Sequence, residues 1–253
     1  MLCTLNGSGL LSLWRHLGMI SIFTVLFDND FDRKKTPSYS QGVFNPEWVD
    51  KLFRMLSWHV TIPFRFNCIT HHPQEAFKEP VHILPFLEDD RSWLQLNEVY
   101  YPENIKTERC AWFALDTVIT GNIDHILEYK GDLGVVDCDG VFANPFTLYS
   151  RMTAKLLWSH WRANQQEYML KYRIGNKPSE LRWLEAEVRV LHDGLYDWHY
   201  LDRLFPGQMF SWCIEARDKK RPEYFPADTR IVYFHGYNKQ HNCGASWVKK
   251  HWV

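Results

Sequence analysis

Two residues far apart in the chain carry the clearest chemical signal, Asp116 and His235. Asp116 stands inside a run of β-branched and aromatic residues from Cys110 to Thr120, CAWFALDTVIT. A carboxylate in such a run is expensive to bury without a partner. In open α/β sheets ligands gather at the carboxyl ends of strands, where an acid suits metal binding or a ribose contact. The competing reading is an acid that caps the turn at Gly121-Asn122. His235 follows Val232-Tyr233-Phe234 and precedes Gly236, where the backbone can approach a ligand closely. Neutral imidazole is a common metal ligand. Lys239, a little further on, offers a compact charge suited to phosphate. Against this stands a core histidine beside a solvated lysine.

These residues need elements to position them. Ile20 to Leu26 (ISIFTVL) reads as a buried parallel strand that stops at Asp28-Asn29-Asp30. Asp28 and Asn29, at the end of a first strand, are placed to meet a base or ribose. Asn45-Pro46-Glu47 reads as a helix start, and Trp48, Leu52, Met55 and Leu56 follow on one face. Phe64 to Thr70 and Val81 to Leu84 are the next strands. The run from Cys110 to Thr120 reads as one continuous strand. A short helical stretch follows at Ile123 to Tyr129, then a strand at Leu133 to Val136. Helices follow at Ala154 to Tyr172 and Leu181 to Leu191, and a last strand at Arg230 to His235. Alternating strand and helix predicts an α/β fold with a mostly parallel, Rossmann-like central sheet flanked by helices.

Composition sets the outer limits. The chain has 253 residues, 45% of them hydrophobic, which is enough for one sizeable core. A net charge of −1 gives no basic surplus for neutralising nucleic-acid phosphates, so a nucleic-acid partner is not expected. The apolar stretch at Leu17 to Leu26 is too short for a membrane span. Met19 directly precedes the first strand, so residues 1–18 are read as an extension and 19–253 as a single domain. The dispersed cysteines form no CxxC pair and read as reduced thiols of a cytoplasmic protein.

The central segment reads Leu115-Asp116-Thr117-Val118-Ile119-Thr120-Gly121-Asn122-Ile123-Asp124, and Tyr129-Lys130-Gly131-Asp132 comes soon after it. Together with the late strand Phe234-His235-Gly236, this order resembles bacterial and phage glycosyltransferases related to glycogenin and the lipopolysaccharide galactosyltransferases. Their central motif reads approximately L-D-x-D-V-V-I-x-G-x-L-D, and their late strand ends F-H-G before a basic stretch. The resemblance runs from about Ile20 to Val253.

It implies a GT-A fold that binds a nucleotide diphosphate sugar and transfers the sugar to the hydroxyl of a glycan, lipid or protein acceptor. It also implies a divalent cation, manganese first and magnesium as the alternative, bridging the diphosphate as a Lewis acid. By matching position, Asp116 and His235 are the metal ligands, and Lys239 lies near the diphosphate. Glu180 falls where relatives place an acid or amide facing the donor sugar. Asp137 and Asp139, flanking Cys138, are candidates for the sugar hydroxyls, against a reading as solvated loop acids. Trp198, Trp212 and Trp247 are candidates to wall the acceptor side. The departures are specific. Ala114 replaces the first acid of the motif. Gln95 stands where a lysine is common. Phe142-Ala143-Asn144-Pro145-Phe146 replaces an asparagine-serine-serine segment. They leave open a degenerate member that binds nucleotide sugar without turnover.

Overall fold

In the computed structural model, residues 18–26, 44–87, 93–138, 141–174, 177–235 and 239–253 are described. The expectations for residues 1–17, for Asp28 and Asn29, and for Asp139 lie outside them. The strands are β1 (Ile20–Leu26), β2 (Phe64–Thr70), β3 (His82–Leu84), β4 (Arg109–Phe113), β5 (Thr117–Ile119) and β6 (Leu133–Cys138). They continue with β7 (Val141–Ser150), β8 (Arg173–Ile174), β9 (Lys177–Pro178), β10 (Trp198–Tyr200), β11 (Met209–Ser211) and β12 (Ile231–Tyr233). The α-helices are α1 (Pro46–His59), α2 (Asp124–Leu127), α3 (Arg151–Lys171), α4 (Glu180–Ala186), α5 (Leu201–Leu204) and α6 (Ser246–His251).

Seven of these strands form one sheet in the order β10-β6-β7-β4-β1-β2-β3. β1 pairs in parallel with β2 and β4, β2 with β3, and β10 with β6. β7 runs antiparallel between β4 and β6. This is the mostly parallel α/β sheet that the alternating pattern predicts.

β1 is buried along its whole length because both faces are covered. Ile20, Ile22 and Leu26 point into one core with Trp48, Leu52, Met55 and Leu56 of α1. Phe23 and Val25 point into the other, with Leu157 and Trp161 of α3 and Trp183 of α4. Successive strand residues alternate faces, so one strand serves both cores. The first helix begins where the sequence places it, with Pro46 in its first turn, but the Asn45 side chain makes no cap bond.

Three boundaries differ from expectation. The run Cys110 to Thr120 is not one strand. It breaks at Ala114–Asp116, and β5 leaves the large sheet to pair with β12 in a second sheet of order β11-β12-β5. Strand β6 runs to Cys138 rather than stopping at Val136, and it pairs with β7. β7 is ten residues long and absorbs the segment Phe142 to Phe146. Pro145 survives inside it because its carbonyl still serves, accepting from Ala114 N at 2.9 Å. The helix expected over Leu181 to Leu191 is α4 followed by a π-helical turn, Glu187–Leu191. No helix among the described residues is long and apolar enough to cross a membrane.

Candidate functional site

The break at Ala114–Asp116 explains how an acid sits amid apolar residues. Ala114 N donates to Pro145 O, and Thr117 N donates to Ala114 O at 3.2 Å, so the chain turns sharply at the carboxyl end of β4. Asp116 occupies that turn, at the top of the sheet rather than inside a strand. The three residues of β5 separate it from Gly121, so it does not cap that turn.

β12 brings His235 to the same place. β12 pairs antiparallel with β5, with Tyr233 opposite Thr117. Phe234 N then donates to Asp116 O at 2.9 Å, which ties the end of the late strand to the acid's own backbone. The His235 ring meets Ser211 Oγ at 3.4 Å through Nδ1, and Cys213 Sγ donates to the His235 carbonyl at 2.7 Å. His235 is exposed at the surface, yet desolvation by the protein around its ring is the main force on it and lowers its pKa. Asp116 opposes that shift, while Lys239 and Arg217 add to it. The imidazole is therefore held neutral at physiological pH, the form that ligates metals. The field of Asp116 at His235 also places the two side chains in one electrostatic neighbourhood.

Lys239 completes the group and is only 5% exposed. Its Nζ donates to Asp116 Oδ2 and, at 2.6 Å, to Phe234 O. It is not a solvated lysine: its charge neutralises a half-buried acid. Gln240 Nε2 holds the same turn by donating to Leu115 O at 3.0 Å. The sequence shows no signal for Gln240, since an amide becomes visible only when a turn carbonyl lies opposite it.

The remaining candidates divide. The parallel strands β4 and β6 end on one edge, and β7 starts there, with Phe146 opposite Phe113 and Phe142 opposite Asp137. Asp137 is a strand residue, not a solvated loop acid. Its side chain is 9% exposed, it pairs with Arg203, and its backbone N donates to Asp202 Oδ1 at 2.7 Å. Glu180 opens α4 behind the capping Ser179 and is buried. Desolvation pushes its carboxyl up to about 7, although a hydrogen bond from Asn144 of β7 opposes this. Its Oε2 has no hydrogen-bond partner among the described residues. Glu180 thus reaches the start of β7 through Asn144. Trp212 is not an open wall: it is 2% exposed and stacks on Phe234 at 5.2 Å.

The donor set fits a divalent cation in part. A carboxylate and a neutral imidazole suit manganese or magnesium bound together with diphosphate oxygens. Ala114 supplies no second acid, and the Lys239 ammonium already holds Asp116, so a cation and Lys239 compete for one carboxylate.

Solved structures share this fold. The glycosyltransferase GlyE of Streptococcus pneumoniae TIGR4 matches with a TM-score of 0.59 at 11% identity, over 89% of this chain and 57% of that one. The galactosyltransferase LgtC, in complex with donor and acceptor sugar analogs, matches with a TM-score of 0.57 at 10% identity. That match covers 91% of this chain and 93% of LgtC. The chain therefore spans a little over half the length of the GlyE structure and nearly all of LgtC's. No protein-family model and no curated protein matches the sequence. The likeness establishes a GT-A-type fold, α/β with a mostly parallel central sheet.

Proposed function

We propose that the protein is a glycosyltransferase that moves a sugar from a nucleotide diphosphate donor to an acceptor hydroxyl. One observation carries this reading: the Lys239 ammonium and the backbone of Phe234, the residue before His235, both close on Asp116 at the carboxyl end of β4, where α/β sheets bind ligands. The shared fold with GlyE and LgtC supports it.

In this reading the acceptor oxygen bonds to the anomeric carbon as the bond from that carbon to the diphosphate breaks. The nucleotide diphosphate leaves with the electron pair, and the acceptor proton is lost. A bound manganese or magnesium ion supplies Lewis-acid stabilisation of the departing diphosphate. Asp116 and His235 would hold that ion. Lys239 swings from Asp116 to the phosphates, so the ammonium that balances the acid in the free protein balances the diphosphate in the complex. Asp28 and Asn29 meet the base or ribose. Glu180 faces the donor sugar, with Asp137 and Asp139 at its hydroxyls.

A second reading, a nucleotide-sugar-binding protein without turnover, is favoured by Ala114 at the turn and by the Lys239–Asp116 pair. Thermal shift with uridine and guanosine diphosphates, with and without Mn2+, tests donor binding, since a ligand selective for the native state raises the melting temperature. Stabilisation that needs Mn2+ and is lost in Asp116→Ala and His235→Ala is expected. Lys239→Ala should tighten Mn2+ binding in the absence of nucleotide and weaken nucleotide binding at least roughly tenfold, about what one charge-assisted contact contributes. Mn2+ dependence unchanged in both ligand variants would overturn the assignment. Hydrolysis or transfer with a panel of nucleotide sugars then separates enzyme from binding protein.

A further inference from the structure

A second cluster lies on the other face of the large sheet, away from Asp116. His160 of α3, Glu187 at the start of the π-helical turn and His192 at its end bring one ligand atom each within 4.8 Å of one another. Nothing in the nucleotide-sugar reading uses these residues.

The sequence conceals this site because Glu187 and His192 are five positions apart, a spacing that an α-helix sends to different faces. The π turn closes the bond from His192 N to Glu187 O at 3.1 Å, and this wider turn carries both side chains to one side. π turns inside helices recur at functional sites. α3 then presents His160 opposite, with its ring stacked on that of His192 at 4.0 Å between centroids and 20° between planes.

Glu187 is the anomaly. Its side chain is fully buried, with a relative exposure of 0%. Oε1 accepts from Tyr196 Oη at 2.8 Å and meets His160 Nδ1 at 2.5 Å, while His192 Nε2 stands 3.8 Å away. Oε2 is buried with no hydrogen-bond partner among the described residues. A carboxylate oxygen left bare inside a protein is strongly unfavourable. The two imidazoles stay partly open to solvent, 24% and 35% exposed, so an ion has a way in.

We propose that His160, Glu187 and His192 form a divalent metal site selective for zinc-like ions, distinct from the Asp116–His235 group. Two imidazoles and one carboxylate are a recognised zinc ligand set, with water in the fourth position of a tetrahedral ion. The Tyr196 hydroxyl, donating to Glu187, orients the ligand carboxylate. Metal binding through Oε1 of Glu187, the oxygen both imidazoles face, ties α3 to the end of the π turn. No manganese-sized demand for several oxygen ligands is met here, which separates this site chemically from the proposed donor site.

The full chain, treated with chelator and dialysed, should be titrated with Zn2+ alone by calorimetry and with Co2+ followed by visible absorption. Both titrations should be repeated in the Asp116→Ala, His235→Ala double variant, which removes the other candidate ligands. The expected result is one Zn2+ per chain and an intense tetrahedral Co2+ spectrum, both retained in the double variant. His192→Ala and His160→Ala should each weaken Zn2+ binding by at least about tenfold and abolish the spectrum. Tyr196→Phe should weaken it by roughly tenfold while keeping the spectrum. Absence of one-to-one binding, or affinity and spectrum unchanged in the histidine variants, would overturn the site. His192 is the most solvent-exposed of the three ligands, so His192→Ala tests the site even if Glu187→Gln fails to fold. Exposed His82→Ala serves as the control for binding by scattered surface histidines.

Discussion

Glu180 joins burial, chemistry and pH dependence in a single side chain. Its ordinary carboxyl value of 4.5 rises to about 7, with desolvation the leading cause. The native state therefore keeps a proton that the unfolded chain gives up between those pH values. The stabilisation from this neutral, buried carboxyl is full below about pH 4.5 and declines as pH rises through about 7. Glu180→Gln should flatten that decline, with a relative gain at about pH 8 on the order of 3 kcal/mol. Urea denaturation across this range checks it, and an unchanged slope would mean that the carboxylate is charged throughout. If Glu180 also faces the donor sugar, the same substitution lowers turnover more than it alters donor affinity. His235 moves in the opposite direction: desolvation by the neighbouring protein lowers its pKa, although the residue stands at the surface.

At the scale of elements, the chemistry depends on where helices and strands stop. β4 and β5 are one apolar run in the sequence, yet the chain breaks at Ala114–Asp116 because Pro145 O and Phe234 N claim backbone groups there. Apolar runs look alike whether straight or turned, so periodicity cannot show the break. α3 has a legible start by contrast. Ser150 Oγ accepts from Thr153 N at 3.0 Å, the bond expected of an N-cap serine. Ser150→Ala should destabilise the protein by about 1 kcal/mol, read as a shift in denaturation midpoint with an unchanged slope. A loss near zero would show that neither this cap bond nor the hydroxyl contact to Thr153, at 2.8 Å, adds to stability. The π turn is the opposite case: Glu187 to Leu191 reads as ordinary helix, and the widening appears only when α3 packs alongside.

At the scale of the whole molecule, the seven-stranded sheet lies between two apolar layers. Leu52 of α1 lies in one layer and Leu157 of α3 in the other, and both have no exposed surface. β1 contributes to both layers through alternate side chains, so the layers are coupled through the strand they share. Leu52→Ala and Leu157→Ala should each lower stability by roughly 2 to 5 kcal/mol, the range for leucine truncation in a core. Both should shift a single cooperative transition, followed by tryptophan fluorescence and by far-ultraviolet circular dichroism. Separate transitions for the two variants would show that the layers unfold independently. Asp116 and Lys239, the residues of the proposed donor site, sit at the carboxyl end of β4, and the proposed zinc site lies within the α3 layer.

What the sequence by itself determined is the class of sheet, the strand β1 and the helix α1 with its buried face. Those follow from local pattern: apolar runs and proline and glycine stops. That Asp116, His235 and Lys239 belong to one site is what the family resemblance implies, not what their local pattern shows. Tertiary structure decided the rest. It set Asp116 in a turn and gave Lys239 to it as a partner. It took Asp137 out of solvent and into β6, and it folded His160, Glu187 and His192 into one cluster. Each of these depends on which distant backbone or side chain lies opposite. That information resides in packing between elements, and a one-dimensional pattern does not contain it.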